Sequence, residues 1–501
     1  MYWSAQRCVA AFIIFQLLAW TLIPWLVNVS LPLDVVREGL SWGNEFQLGY
    51  YKHPPLPSWL AEVSFRLLGD IGPYLVSQLF IAFTYLFVFL LGRRLMPAWK
   101  AAAGTVGLIG VSFFTWSSVE FNHNVAQMPL WVAAIYLLHT LLEKPALWRW
   151  LLLAVTSAAG IYSKYSFVVL IGLGFLFLLQ PPYRHLLTNR GFWAFVLLLF
   201  ALLTPHILWL QANDYLPFQY LEKRAEDAAS FSERLLDPVL FLIVQSVNVL
   251  VLIVLMIWLG LRRADTTSPA FLRWFAFTPL LFVALLSLIT AEEPRAMWAT
   301  PMLSLVGLWL AWHLPDRAMQ RLNKLTLIAL TISALVLSAY AAKALWGEDS
   351  SGKASRTGWP DSALAAQAQT LWATSVGNNP ECPLRIVSGD NWLAGLVAYR
   401  HPTRPSVLVD GDFRLSTWLT SKKADQQGIL LIWQEKDQPP ALSAELATDA
   451  LAPQRLTFSW PRAPSLEPLV VMMQVVLPSN SACAPAQLPP QSRPVESAAQ
   501  D

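Results

Sequence analysis

Long apolar runs separated by short polar breaks fill the first 345 residues of the chain. The first, Val9 to Val29, carries Gln16 near its middle and is long enough to cross about 30 Å of hydrocarbon. Only Arg7 precedes it as a charged residue, and no small-residue cleavage site follows before Asp34. This predicts a retained helix, not a removed signal peptide. Further runs lie at Tyr74 to Leu91, Ala101 to Trp116, Val125 to Leu142, Trp150 to Tyr162, Phe167 to Leu179, Trp193 to Leu210, Val239 to Leu261, Trp274 to Ile289, Trp298 to Trp312 and Leu325 to Leu345. The pattern predicts a polytopic α-helical membrane protein with about eleven transmembrane helices. Trp150 to Gln180 could hold one long helix or two short ones; basic loops at both ends favour two, broken at Ser163-Lys164-Tyr165, with Lys164 at an outward-facing turn.

The polar breaks are of two kinds. Loops carrying Arg93, Arg94, Lys100, Lys144, Arg149, Arg184, Arg190, Arg262, Arg263, Arg273, Arg317, Arg321 and Lys324 contain only Glu143, Asp265 and Asp316 as acids. Such basic loops mark the cytoplasmic face. The alternate breaks mix acid, base and amide: Ser30 to Pro73, Ser117 to Asn124 with Glu120, Asn122, His123 and Asn124, Gln211 to Pro238, and a short one with Glu292, Glu293 and Arg295. An odd number of spans places the amino terminus inside and the tail outside. The predicted domains are a transmembrane domain over 1–345 whose first outer loop is 30–73, a soluble domain over 346–477, and a Pro- and Ser-rich, disordered tail over 478–501. Within the soluble part, LRIVSGD, SVLVDGD, GILLIWQE and LVVMMQVVLP read as buried strands and Ser362 to Ser375 as a helix, a small α/β module.

Composition agrees: 55% of the 501 residues are hydrophobic, 13% are charged and 24 are Trp, with a mean hydropathy of +0.45. A net charge of +3 gives no reason to expect a nucleic-acid partner. The sequence has no CxxC, HExxH, P-loop or GxGxxG motif to suggest nucleotide or classical zinc chemistry. Of three cysteines, Cys8 opens the first span. Cys382 and Cys483 lie in the outer domain, where an oxidising compartment would permit a bridge; two free thiols are the other reading.

The first outer loop concentrates the candidate chemistry. Asp34 precedes Val35, Val36 and Leu40, the apolar positions of a short interfacial helix, where an Asp is either an N-cap or a functional carboxylate. Pro54-Pro55 stiffens the backbone and holds Lys52 and His53 on an extended segment beside Tyr50, Tyr51 and Trp59. Those aromatics are substrate-lining candidates or members of an interfacial belt.

One helix, an acid opening an outer loop, and then GYYKHPPLPSWL resembles bacterial polyprenol-phosphate-sugar-dependent glycosyltransferases of the protein O-mannosyltransferase and lipid A aminoarabinose transferase type. GIYSKYS around Lys164, PHILWLQANDYLPFQY from Pro205 and EEPRAMWATPM from Glu292 extend the likeness over residues 1–345. The resemblance implies a C-type glycosyltransferase fold, a polyprenyl-phosphate-linked sugar donor, a lipid or glycan acceptor such as lipid A, and an active site on the periplasmic side of a bacterial inner membrane. It also implies a catalytic acid at Asp34. Many relatives have Glu directly after that Asp, whereas this chain has Val35, and Glu38 one turn on is the secondary carboxylate candidate.

The chemistry asks for a carboxylate to take the acceptor's proton and cations to receive the departing phosphate. Lys52, His53, Lys164, Arg224 and Arg295 are the candidate donor-phosphate ligands, and His206 a further lining candidate. Each has a plainer reading: Lys164 as a snorkelling helix-end lysine, Arg224 on a solvated charged helix, Arg295 paired with its neighbouring acids, His206 packed. Asp34 with His53 could contribute to a divalent metal site, but two ligands do not define one. A lipid-linked sugar flippase, which would need ionisable residues near the midplane, and an inactive scaffold are the competing readings.

Overall fold

The computed structural model describes residues 3–225, 231–262, 267–290, 292–346, 354–443, 446, 448–479 and 483; the side chains of 223–225 and 231–234 are not described. The chain divides into two compact units, Met1–Trp359 and Pro360–Asp501. Residues after the last long helix stay with the first unit, where Val29 and Ser30 donate backbone hydrogen bonds to the Thr357 carbonyl.

The first unit is helical. Six helices among the described residues are long and apolar enough to cross a membrane: Ala5–Val27, Ile71–Leu95, His123–Glu143, Arg190–Ala212, Ala270–Thr290 and Asp316–Trp346. Two bent pairs raise the number to eight if each is one span: Ala98–Gly110 with Ser112–Val119, bent by 89°, and Leu235–Asn248 with Leu250–Trp258, bent by 43°. The expected eleven are not all of that length: three further predicted runs form shorter helices, among them Met302–Trp312. The remaining runs are helical but short, 17 residues at Leu147–Ser163 and 12 at Phe167–Leu178, and hydropathy alone does not distinguish them from full crossings. The expected break after Ser163 is present, and Lys164 caps the first of those two helices in an extended conformation.

Apolar side chains cover the outside as well as the inside. Leu197, Phe200, Ile289 and Leu327 are all more than 60% exposed, an arrangement favoured in lipid and costly in water. Several of the polar groups inside join the helices to one another. Gln16 donates to the Phe114 carbonyl at 3.1 Å and accepts from Ser333 at 3.0 Å, and Ser333 in turn accepts from Trp20 Nε1 at 2.8 Å. This buried network ties the first long helix to the last, the kind of link that holds helices together where hydrophobic burial gives no preference. Close backbone approach does the same elsewhere: a Cβ on Gly104 would lie 2.7 Å from the Gly307 carbonyl oxygen.

The second unit is a mixed five-stranded sheet in the order β2-β1-β3-β5-β4, where β1 is Ile386–Gly389, β2 Ser406–Val409, β3 Ile429–Gln434, β4 Gln454–Phe458 and β5 Leu469–Val476. β1 pairs in parallel with β2 and β3, while β5 runs antiparallel to β3 and β4. Ile386, Leu408, Ile429, Leu431 and Val476 form its core. β4 escapes the hydropathy reading because QRLTF sits at the sheet edge and is mostly exposed. The helix Asp361–Ser375 packs alongside, and Cys382 is bridged to Cys483 with their Cα atoms 5.6 Å apart. Apart from 478, 479 and 483, the tail expected to be disordered lies outside the described residues.

Candidate functional site

Val35–Leu40 winds as a π-helical turn, with Asp34 at its start. Its wider winding brings Glu38 inward, and Ser58 on the helix Leu56–Leu68 donates to the Glu38 carbonyl at 2.7 Å. Asp34 makes no side-chain cap hydrogen bond, so the N-cap reading does not account for it. Its Oδ1 instead lies 3.3 Å from Arg37, its Oδ2 accepts from Asn122 at 3.4 Å, and its backbone N–H donates to Glu120.

Glu38 is the hub of the cluster. Its side chain is 5% exposed, with Lys52 Nζ at 2.5 Å and Arg37 at 3.2 Å on one oxygen, and His123 Nδ1 at 3.4 Å and His53 Nε2 at 3.8 Å on the other. Lys52 and His53 are held by the turn that the diproline closes, in which Tyr50 donates its N–H to the His53 carbonyl. His123 opens the helix His123–Glu143, whose N-cap Asn122 accepts from the backbone of Asn124 and Val125. Lys164 reaches in from the break after Ser163 and donates to Asn124 Oδ1 at 2.5 Å.

Burial and mutual charge then set the protonation states. Burial opposes ionisation of Glu38, but the His123 hydrogen bond and the Lys52 charge outweigh it and hold the carboxyl well below its usual range. Burial and then the Glu38 charge push Asp34 up. Burial and then the Asp34 charge take Glu120 up to about 8. Burial and then His123 lower His53 well below the ordinary imidazole value, so at neutral pH it is a neutral hydrogen-bonding group. Burial and then Lys52 lower Lys164 to about 8.

Of the sequence candidates, Asp34, Glu38, Lys52, His53 and Lys164 are brought together. Arg295 is exposed at the start of the turn Ala296–Ala299; two residues on, the Met297 sulfur accepts from Asn124 at 3.5 Å, which puts this segment at the rim. The side chain of Arg224 lies outside the described residues. Two lining candidates are corrected. Tyr50 is 0% exposed, donates to the Trp42 carbonyl and stacks on the Trp42 ring, so it supports the loop from beneath. His206 is buried with both nitrogens engaged, one 2.7 Å from the Leu48 carbonyl oxygen and one 3.1 Å from the Tyr165 hydroxyl. Tyr51 and Trp59 remain partly exposed, Tyr51 edge-on to Trp42 and Tyr220, and Trp59 donating to the Gln47 carbonyl.

Arg37, Glu120, Asn122, His123 and Asn124 were given no role by the sequence reading. For the last four the signal was the density of polar side chains in EFNHN between two apolar runs. The metal expectation changes as well: among the described residues, those that place three ligand atoms within 4.8 Å of one another are Glu38, His53 and His123, not Asp34 with His53.

Residues 52–209 match the model of the dolichyl-phosphate-mannose-protein mannosyltransferase family. The lipopolysaccharide core galacturonosyltransferase RgtA of Rhizobium johnstonii is 25% identical over 216 residues, 42% of this chain and 42% of that protein, so the matched stretch spans under half of this relative. ArnT from Cupriavidus metallidurans superposes over 94% of this chain and 98% of its own, with a TM-score of 0.60 at 13% identity when bound to undecaprenyl phosphate and 0.58 at 14% in the apo state. At such identity the superposition speaks for the fold, and the sequence matches speak for the kinship. Over residues 52–209 the chain is similar in sequence to the dolichyl-phosphate-mannose-protein mannosyltransferases, and its fold is the C-type fold of ArnT with a small α/β unit at its carboxyl end.

Proposed function

We propose that this protein is a membrane glycosyltransferase that moves a sugar from a polyprenyl-phosphate donor to a cell-envelope acceptor, lipid A or another glycolipid or polysaccharide, on the periplasmic side of a bacterial inner membrane. The observation that carries the proposal is the convergence of Asp34, Glu120, Lys52, Lys164 and Arg37 on one part-buried cluster of a C-type glycosyltransferase fold. Carboxylates and cations at one interfacial site match the two demands of the reaction. The kinship with RgtA and ArnT favours a lipopolysaccharide-type acceptor.

In this reading the acceptor hydroxyl attacks the anomeric carbon from the face opposite the phosphate. Its proton passes to Asp34, which Arg37 and Asn122 orient. The bond between the anomeric carbon and the phosphate oxygen breaks, the configuration inverts, and the electron pair leaves on polyprenyl phosphate beside Lys52 and Lys164. Preorganised charge of this kind stabilises the leaving group without solvent reorganisation. Where the acceptor is itself a phosphate, no deprotonation is needed and Asp34 orients the sugar.

The test is reconstitution of purified protein with polyprenyl-phosphate sugars, read by mass spectrometry of the lipids, together with the lipids of a deletion strain. Asp34→Asn removes the charge with little change of shape, so the protein should still insert and transfer should fall by roughly 10²-fold or more. Near-parental transfer by Asp34→Asn would remove Asp34 from the mechanism. A deletion strain with unchanged envelope lipids and glycans would count against the whole reading.

A further inference from the structure

We infer that Glu38, His53 and His123 form a divalent-metal site of the zinc type at the centre of this cluster. One carboxylate oxygen and one nitrogen from each imidazole lie within 4.8 Å of one another. Glu38 Oε2 is 3.4 Å from His123 Nδ1 and 3.8 Å from His53 Nε2. Ligand atoms on a tetrahedral zinc with bonds of ~2.0–2.2 Å stand about 3.3–3.6 Å apart, so the Glu38–His123 pair already fits, the Glu38–His53 pair needs to close by a few tenths of an ångström, and the two imidazole nitrogens, within 4.8 Å of each other, close by a rotation of the side chains. Two imidazoles and a carboxylate are a donor set that zinc accepts, and three protein ligands leave a fourth position open.

The surroundings hold these three side chains ready. Lys52 and Arg37 occupy one Glu38 oxygen and leave the other turned to the imidazoles. His53 is fixed by the diproline turn and His123 by the start of a capped helix. The two rings lie 4.0 Å apart, inclined by 34°. His123 is 3% exposed and its Nε2 has no hydrogen-bond partner among the described residues, so the ring is not a core histidine satisfied on both sides. Its other nitrogen, Nδ1, is the one that faces Glu38. Lys52, 2.5 Å from the Glu38 carboxylate, opposes a cation there, which makes its removal informative.

The role of the ion rests on the glycosyltransferase reading: its open position would accept a phosphate oxygen of the donor, so that the ion acts as a Lewis acid on the leaving group. The existence of the site does not depend on that reading, and the experiment separates the two. Purified full-length protein, stripped with chelator and free of donor, is titrated with Co²⁺ as a visible reporter and with Zn²⁺ by competition. One ion per chain with the intense absorption of four-coordinate cobalt is expected. His53→Gln and His123→Gln should weaken binding by on the order of 10²-fold, and Lys52→Met should tighten it. Stoichiometric binding unchanged in both histidine variants would mean adventitious coordination elsewhere and would overturn the site, as would absence of binding to the parent protein. Should a histidine variant fail to fold, as judged by size exclusion, the opposite shifts expected of Glu38→Gln and Lys52→Met decide the matter. Inorganic phosphate, then polyprenyl phosphate, is added to the cobalt form: a changed spectrum supports the proposed role, and an unchanged one removes the role while the site stands. A protein that binds cobalt as described but transfers no sugar would count against the glycosyltransferase reading alone.

Discussion

Substituting Glu38 by Gln takes the shared anion away from Lys52 and Arg37, which then face each other across an amide. Breaking a buried ion pair from one side costs ~3–5 kcal/mol. Here Glu38 is 5% exposed but Lys52 is 20% and Arg37 33% exposed, so water recovers part of the loss and about 2–3 kcal/mol is the better expectation. Lys52→Met should cost less, about 1–2 kcal/mol, because Glu38 keeps Arg37 at 3.2 Å. In the double variant no orphaned charge is created by losing Lys52 a second time. The two losses should therefore fall short of their sum by about 1–2 kcal/mol, the scale of coupling found for residues in one network. Thermal unfolding of the purified, chelator-treated protein, followed by tryptophan fluorescence, reads this as a change of a few degrees at most, since larger chains shift less per kcal/mol. Strict additivity of the two substitutions, within about 0.3 kcal/mol, would refute the claim that Glu38 organises the cluster.

The pH profile of transfer should have two limbs. Asp34 is held above the ordinary carboxylate range, so activity should fail on acidification before a free aspartate would protonate, and Lys164, lowered to about 8, should lose its proton and its hold on phosphate as pH rises through that value. Lys164→Arg keeps its charge and should shift the alkaline limb upward; a limb left at about 8 would assign it to another group, with Glu120 the next to test. The Cys382–Cys483 bridge closes a separation of 101 residues, worth ~4.7 kcal/mol in the chain-entropy account, so reduction should speed proteolysis within the second unit, and unchanged cleavage rates would show the bridge to be dispensable. Orientation is open to direct labelling, because Cys8 is buried and the other two cysteines are bridged. A membrane-impermeant thiol reagent, used on cells with a permeabilised outer membrane, should modify Gln211→Cys and spare Pro145→Cys, both exposed positions; the reverse pattern would invert the topology.

Much of the site could be read from the chain because its parts lie in short polar stretches between apolar runs. Asp34, Lys52 and His53 fall within one loop, and Lys164 sits where two helices too short to be one long span must break. Hydropathy could not rank them. Glu38 was placed second because it stands away from the position where relatives carry Glu, and only the π-helical winding of Val35–Leu40 makes it the shared partner of Lys52, Arg37, His53 and His123. Tyr50 and His206 mislead in the opposite direction, since an aromatic ring in an outer loop or near a helix end has the same sequence signature whether it faces a substrate or packs beneath the site.

The sequence by itself determined the medium and the architecture. Apolar runs of membrane length cannot be hidden in a soluble core of this size, and backbone groups in hydrocarbon must be satisfied within helices. It likewise determined the α/β character of the carboxyl-terminal unit through its short β-rich runs. The tertiary structure decided which apolar runs are long unbroken helices and which are bent or short, because bends and short segments do not alter mean hydropathy. It also decided the membership of the site. Glu38 and His123 are separated by 85 positions in the chain and their side chains by 3.4 Å in space, and the charge that Glu38 carries follows from burial and from neighbours that local sequence does not name.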